Sequence, residues 1–232
     1  MKINQIHNSI LYKIVHLYLK ANALRAQVHG PLTSHEHSEL LYKAMEFRRA
    51  NSISRAPYLY EDAQLEIEKE LNIDERSFHF VVIKDGEMMG YIRLTPMPFE
   101  ISSLMPRSII SLANYHHYFE FSRFITANHV TNKRYFALLL LLKAGHWLFA
   151  KKNAGGILGI CKPNRLHYFK YFNLFPQNNE PVSITNRIGE YHFILGSKQD
   201  ILFAISKMFI KKLNIYHKSG KNYELRTTKK HS

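Results

Sequence analysis

Residues 118–126 read YFEFSRFIT, an aromatic run that encloses Glu120, Ser122 and Arg123. An unpaired charge inside an apolar strand is costly, so both charged groups need a partner or a task. The plainest reading is a structural salt bridge; the other is a functional pair. Period-2 alternation puts Glu120 and Ser122 on one face and Arg123 on the other. A direct Glu120–Arg123 pair therefore requires a β-bulge. Without one, Arg123 pairs with Asp74 or another acid across the sheet. Asp74 itself reads as a helix cap or turn residue, or as such a partner. Arg93, late in another strand, is either an edge charge or a carboxylate clamp, and His79 reads as a core histidine. His35-Glu36-His37 and His116-His117 lack a metal-site spacing, so no metal is expected.

These residues sit in a legible order of elements. Residues 2–24 read as an amphipathic helix with Ile3, Ile6, Ile10, Ile14 and Leu17 apolar. A break follows at Gly30-Pro31. A second helix is expected over 36–52, capped by Thr33 or Ser34, with Leu40, Leu41, Ala44 and Phe47 as its stripe. Residues 53–60 read as loop and 61–71 as a short acidic helix. FHFVVIK (78–84) and EMMGYIRL (87–94) flank Asp85-Gly86, a hairpin signature. Residues 95–116 are irregular, with a helix over 106–113. After the opening strand, the spacing predicts a buried helix over 133–152 and a strand over 155–161. A short helix from Pro163 to Phe172, a strand pair at 183–187 and 191–196, and a helix over 198–213 complete the chain. The strand–helix–strand unit at 118–161 implies a parallel crossover, while the hairpins add antiparallel pairs. The result is an α/β (α+β) fold: a mixed sheet covered by helices.

Composition bounds the setting. The 232 residues carry a net charge of +14, with 46% hydrophobic and 13% aromatic content. That suffices for a packed core. The single cysteine, Cys161, forms no internal disulfide, and a reducing cytoplasm is the natural compartment. The charge attracts polyanions, acidic proteins or anionic membranes. No zinc-finger spacing, RNA-binding signature or helix-turn-helix accompanies it, so a nucleic-acid partner is not expected. The N-terminus lacks a secretory pattern, and FALLLLL (136–142) is too short to span a bilayer. The last helix has Ile201, Leu202, Ile205, Met208 and Phe209 on one face. That face either docks on the domain or contacts a membrane surface or carrier protein. Residues 217–232 read as a solvated basic tail.

Asp74-x-x-Ser77-x-His79-Phe80, then Gly90-x-x-Arg93-Leu94, then Glu120-x-Ser122-Arg123, in this order of elements, resembles the autoinducer-synthase branch of the GNAT acyltransferases. That branch holds the acyl-homoserine-lactone synthases and the N-acyl amino acid synthases. The D-x-x-S-x-H-F segment is closer to the latter, and the similarity runs from about residue 40 to 196. The lactone synthases usually carry a tryptophan after the first helix, tied to S-adenosylmethionine; here the only tryptophan is Trp147, far downstream. The resemblance implies a GNAT-like mixed, mostly antiparallel sheet with a splayed parallel strand pair. Its domain would span 35–196, between an N-terminal helical extension (1–34) and a C-terminal helix with basic tail (197–232).

The activity implied is transfer of a fatty acyl chain to the amino group of an amino acid or similar amine. Acyl-homoserine-lactone synthesis and a non-catalytic GNAT-like module that binds membrane or nucleic acid are the alternatives. Acyl transfer needs a base for the ammonium, donors for the oxyanion and a scaffold holding both reactants. The resemblance makes Glu120 the general base, with Ser122 and Arg123 beside it. It makes backbone N–H groups near Phe124 and Ile125 the oxyanion donors, and Asp74 and Arg93 substrate-orienting groups. Trp147 and nearby Leu and Phe residues either line an acyl pocket or belong to the core. GNAT enzymes that use acetyl-CoA usually carry a glycine-rich loop before the following helix. Here that junction is TANHVTNKRYF (126–136), without glycine, where Lys133 and Arg134 could hold phosphate. The expected donor is an acidic acyl-carrier protein, which the +14 charge would steer, or acyl-CoA; no bound cofactor is expected.

Overall fold

The computed structural model describes residues 2–23, 25–34, 38–55, 71–104, 111–184 and 187–208. Helices α1 (Lys2–Asn22) and α2 (Ser38–Arg55) are separated by strand β1 (Gln27–Leu32). A helical turn at 71–75 (α3) leads into β2 (Phe78–Lys84) and β3 (Glu87–Thr95). The short helix α4 (Ile101–Leu104) and a 3-10 turn (Leu112–Tyr115) precede β4 (Tyr118–Thr126). Helix α5 (Lys133–Ala150) crosses to β5 (Gly156–Cys161), followed by a 3-10 turn (Pro163–Arg165) and α6 (Leu166–Lys170). Strands β6 (Phe175–Pro176), β7 (Val182–Ser183) and β8 (Glu190–Ser197) lead to the last described helix, α7 (198–208).

The sheet runs β1-β2-β3-β4-β5-β8-β6, with β7 added to β8. β4 and β5 are parallel and every other pair is antiparallel. The mixed, mostly antiparallel sheet is the one the sequence implies. At the β2–β3 turn Asp85 and Gly86 have φ of 52° and 82°, the left-handed pair that a two-residue hairpin requires.

Several elements differ from expectation. Gly30-Pro31, read as a break, lies within β1, the sheet's edge strand. Proline is tolerated there because an edge strand has one side without a ladder. Gly30 takes φ of 127° and lies so close to β2 that a Cβ would stand 2.6 Å from the His79 carbonyl oxygen. The last predicted strand pair contracts to two residues at β7, and β6 was not foreseen. Residues 53–55, expected to open a loop over 53–60, continue α2; the rest of that loop, most of the acidic helix over 61–71 and of the helix over 106–113, and the tail at 217–232 lie outside the described residues.

The sheet has two chemically different faces. On one, Phe78, Phe80, Ile92, Leu94 and Phe121 pack with α5 in the largest core cluster, which also includes Val15 of α1 and Ile201, Leu202 and Ile205 of α7. The apolar stripe of α7 is therefore docked in the core. Of the two readings of that stripe, the structure gives the docked one for Ile201, Leu202, Ile205 and Met208. The other face carries His79, Tyr91, Arg93, Thr95 and Glu120, and α2 covers part of it through Leu41 and Ala44. No helix among the described residues is long and apolar enough to cross a membrane.

Candidate active site

The site begins with an irregularity in β4. Tyr91 and Arg93 of β3 are two residues apart, but their partners Ile125 and Ser122 are three apart. The extra residue is a β-bulge, and Arg123 sits in it with φ of 53°. On its other side β4 pairs with β5 from Tyr118↔Gly156 only as far as Phe121↔Gly159. The two parallel strands diverge beyond that point, next to the bulge.

The bulge does not produce a direct Glu120–Arg123 pair. Both groups converge instead on Glu100, in the loop before α4. Glu120 Oε2 accepts the Glu100 N–H, and both its oxygens lie 3.3 Å from the Ile101 N. Its carboxylate thus caps the first turn of α4. The Glu100 carboxylate accepts Arg93 Nη2 (2.6 Å), Arg123 Nη2 (2.8 Å) and Arg187 Nη2 (3.2 Å). Arg93 is the hub of the cluster. It is fully buried, gives Nη1 to Asp74 (2.8 Å) and gives Nε to Ser122 Oγ (3.0 Å). Asp74 in turn takes both oxygens to within 2.6 Å of Arg48 Nη1. Ser122 therefore holds Arg93 in place, and Asp74 is a buried ion-pair partner rather than a helix cap.

Electrostatics separate the two glutamates. Burial, followed by the neighbouring Glu100 charge, pushes the Glu120 carboxyl up to about 7, against the opposing pull of Arg93 and the two N–H groups. Glu100 is buried too, but Arg123, Arg93 and Arg187 outweigh the desolvation and hold it well below the usual carboxylate range. For Asp74 likewise, Arg48 and Arg93 overcome burial and lower its pKa. One carboxyl is thus poised to exchange a proton near neutrality while its neighbours stay charged. His79 is a core histidine: burial pulls it down to about 4, and its ring bonds Tyr91 Oη (2.7 Å) and the Asp74 carbonyl oxygen (2.9 Å).

Backbone alternation sorts the candidate oxyanion donors. The Ala127 N–H donates to Met89 O of β3. Two residues earlier, regular alternation turns the Ile125 N–H to the same side, while Phe124 lies in the bulge, beyond the end of the β4–β5 ladder. Trp147 is not beside Glu120. It packs on the opposite face of the sheet, with ring centroids 4.4 Å from Phe78 and 5.1 Å from Phe119. Lys133 and Arg134 are exposed in the first turn of α5.

Three members of the cluster escaped the sequence reading. Arg48 had a signal: it extends the α2 stripe of Leu41 and Ala44 by one turn, a charge at a core position. Glu100 and Arg187 lie in irregular segments without periodicity, and only the three-dimensional structure brings them to β4.

No protein-family model matches the chain, and no curated protein matches it in sequence. Solved structures do match its fold. Escherichia coli ElaA superposes with a TM-score of 0.52 at 14% identity, over 73% of this chain and 98% of its own. FeeM, an N-acyl amino acid synthase from uncultured soil microbes, gives 0.54 at 9% identity, over 76% and 93%. BjaI, a CoA-dependent acyl-homoserine lactone synthase solved with SAM and isopentyl-CoA, gives 0.53 at 14%, over 78% and 89%. The chain has the fold of the GNAT N-acyltransferases, the fold that the motifs in β2–β4 resemble.

Proposed function

We propose that the protein is an N-acyltransferase. It moves a fatty acyl chain from a thioester to the amino group of an amino acid or similar amine, with Glu120 as general base. The observation that carries this is a buried carboxyl, poised near neutrality, one residue from the point where β4 and β5 part. Glu120 removes a proton from the acceptor ammonium, directly or through a water. The amine then attacks the thioester carbonyl, and the oxyanion meets the Phe124 N–H. The C–N bond forms, the C–S bond breaks, and the departing thiolate takes up a proton. Arg48, Arg93, Arg123 and Arg187 face Asp74, Glu100 and Glu120, a positive balance that suits an acceptor with its own carboxylate. Arg123 and Arg187 are the partly exposed guanidiniums of the cluster, with 15% and 13% side-chain exposure, which supports them as the groups that bind it.

The donor reading rests on the glycine-free β4–α5 junction with its exposed Lys133 and Arg134. An acyl group on an acidic carrier protein fits that surface, and acyl-CoA is the other donor to test. The assay supplies palmitoyl-loaded carrier protein or palmitoyl-CoA with pooled amino acids, and separately with S-adenosylmethionine, and reads products by mass spectrometry. An N-acyl amino acid supports the reading. A homoserine lactone with consumption of S-adenosylmethionine replaces it with lactone synthesis. No product with either donor, together with salt-sensitive binding to vesicles or oligonucleotides, identifies a non-catalytic module.

A further inference from the structure

Helix α1 packs one apolar side on the domain and leaves a second apolar stripe exposed. Val15 is fully buried against α5, with Tyr18 and Leu19 beside it in the core cluster. Tyr12 stacks on His146 at 3.9 Å, and Asn22 Oδ1 accepts the Tyr135 hydroxyl at 2.9 Å. These contacts anchor one side of the helix. The outer side presents Ile10 and Leu17, 53% and 63% exposed, seven residues apart and so at nearly the same helical phase. Lys13 and Lys20 are also exposed, each three residues after an apolar one. The sequence repeats the apolar spacing upstream at Ile3 and Ile6, and KINQIHNSILYKIVHLYLKAN contains no acidic residue.

We propose that this outer stripe of α1 is a membrane-surface anchor. Ile10 and Leu17 enter the headgroup boundary of an anionic bilayer, and Lys13 and Lys20 extend to its phosphates. Charge decides between occupants. A second copy of the chain would set an acid-free, lysine-bearing stripe against another of the same sign. The chain's own C-terminal segment is also basic, with Lys211, Lys212, Lys218 and Lys221. An anionic bilayer accepts both the apolar and the cationic side chains, and the net charge of +14 draws the protein to it. This inference stands on α1 alone and does not depend on the acyl-transfer reading.

The test is co-sedimentation of the full chain with phosphatidylglycerol/phosphatidylcholine vesicles and with pure phosphatidylcholine vesicles. Binding is expected only to the anionic set. The double variant Ile10→Glu/Leu17→Glu should bind at least tenfold more weakly. Lys13→Ala/Lys20→Ala should lose roughly 25-fold, about fivefold per surface lysine. All four side chains are exposed, so circular dichroism and the thermal midpoint should match those of wild type. Equal binding to both vesicle types overturns the proposal, as does undiminished binding of the two variants. No vesicle binding, with a concentration-dependent dimer that the Ile10→Glu/Leu17→Glu variant abolishes, overturns it in favour of a second copy.

Discussion

Glu120→Gln is expected to slow amide formation by about 10²- to 10⁴-fold, the usual contribution of a positioned general base. The substitution is nearly isosteric, and its remaining carbonyl oxygen can still accept an N–H from Glu100 or Ile101. The fold should therefore survive. Stability should respond in the direction opposite to that of an ion-paired carboxylate. A carboxyl raised by burial and by Glu100 keeps its proton in the folded state at pH values where the unfolded chain has released it. Wild type accordingly loses stability as pH rises from the ordinary value of 4.5 to about 7, and glutamine does not. Thermal midpoints of the two proteins should separate in favour of the variant across that window and stay apart above it. A strongly destabilised variant at pH 8 would make Glu120 a structural ion-pair member after all.

Arg93→Met is expected to cost stability more than any other single change in the cluster. Arg93 is fully buried and serves Asp74, Glu100 and Ser122 at once. Methionine fills similar space but leaves both carboxylates short of a partner, and breaking a buried pair from one side costs about 3–5 kcal/mol. For a chain of this size that lowers the melting temperature by roughly 10 °C. The loss should shrink at acid pH. Asp74 and Glu100 are lowered by their arginines, so their stabilisation is present above the ordinary carboxylate range and fades as pH falls through their depressed values. Urea midpoints of both proteins at pH 7 and pH 3 check this, and a variant as stable as wild type at pH 7 would remove Arg93 from the hub.

The fold was legible where periodicity or turn chemistry was strong. Asp85-Gly86 specified the hairpin, and the run Phe136–Leu142 specified the helix that covers one face of the sheet. β1 was not legible, because Gly30 and Pro31 signal a break and only pairing with β2 reveals a strand. The site was half legible. Glu120, Arg123, Arg93 and Asp74 announced themselves as charges within apolar or patterned segments, and the structure gathers them into one network. What alternation alone could not supply was the bulge at Arg123 or the third party on which Glu120 and Arg123 meet. Glu100 follows Pro96 and Pro98 in a stretch without a repeating pattern, so its role emerges only from tertiary structure. The strand that opened as an aromatic run with misplaced charges is the point where a carboxyl near neutrality, an arginine hub and a parting of strands coincide.

The most direct measurement is the pH dependence of kcat for amide formation at saturating acceptor, in wild type and in Glu120→Gln. The wild-type rate should rise with pH through a single ionisation near 7 and then level, with that limb absent from the slow residual activity of the variant. The same limb in both proteins would contradict Glu120 as the base. So would a wild-type rate that climbs steadily through pH 9, following the acceptor's own ammonium group.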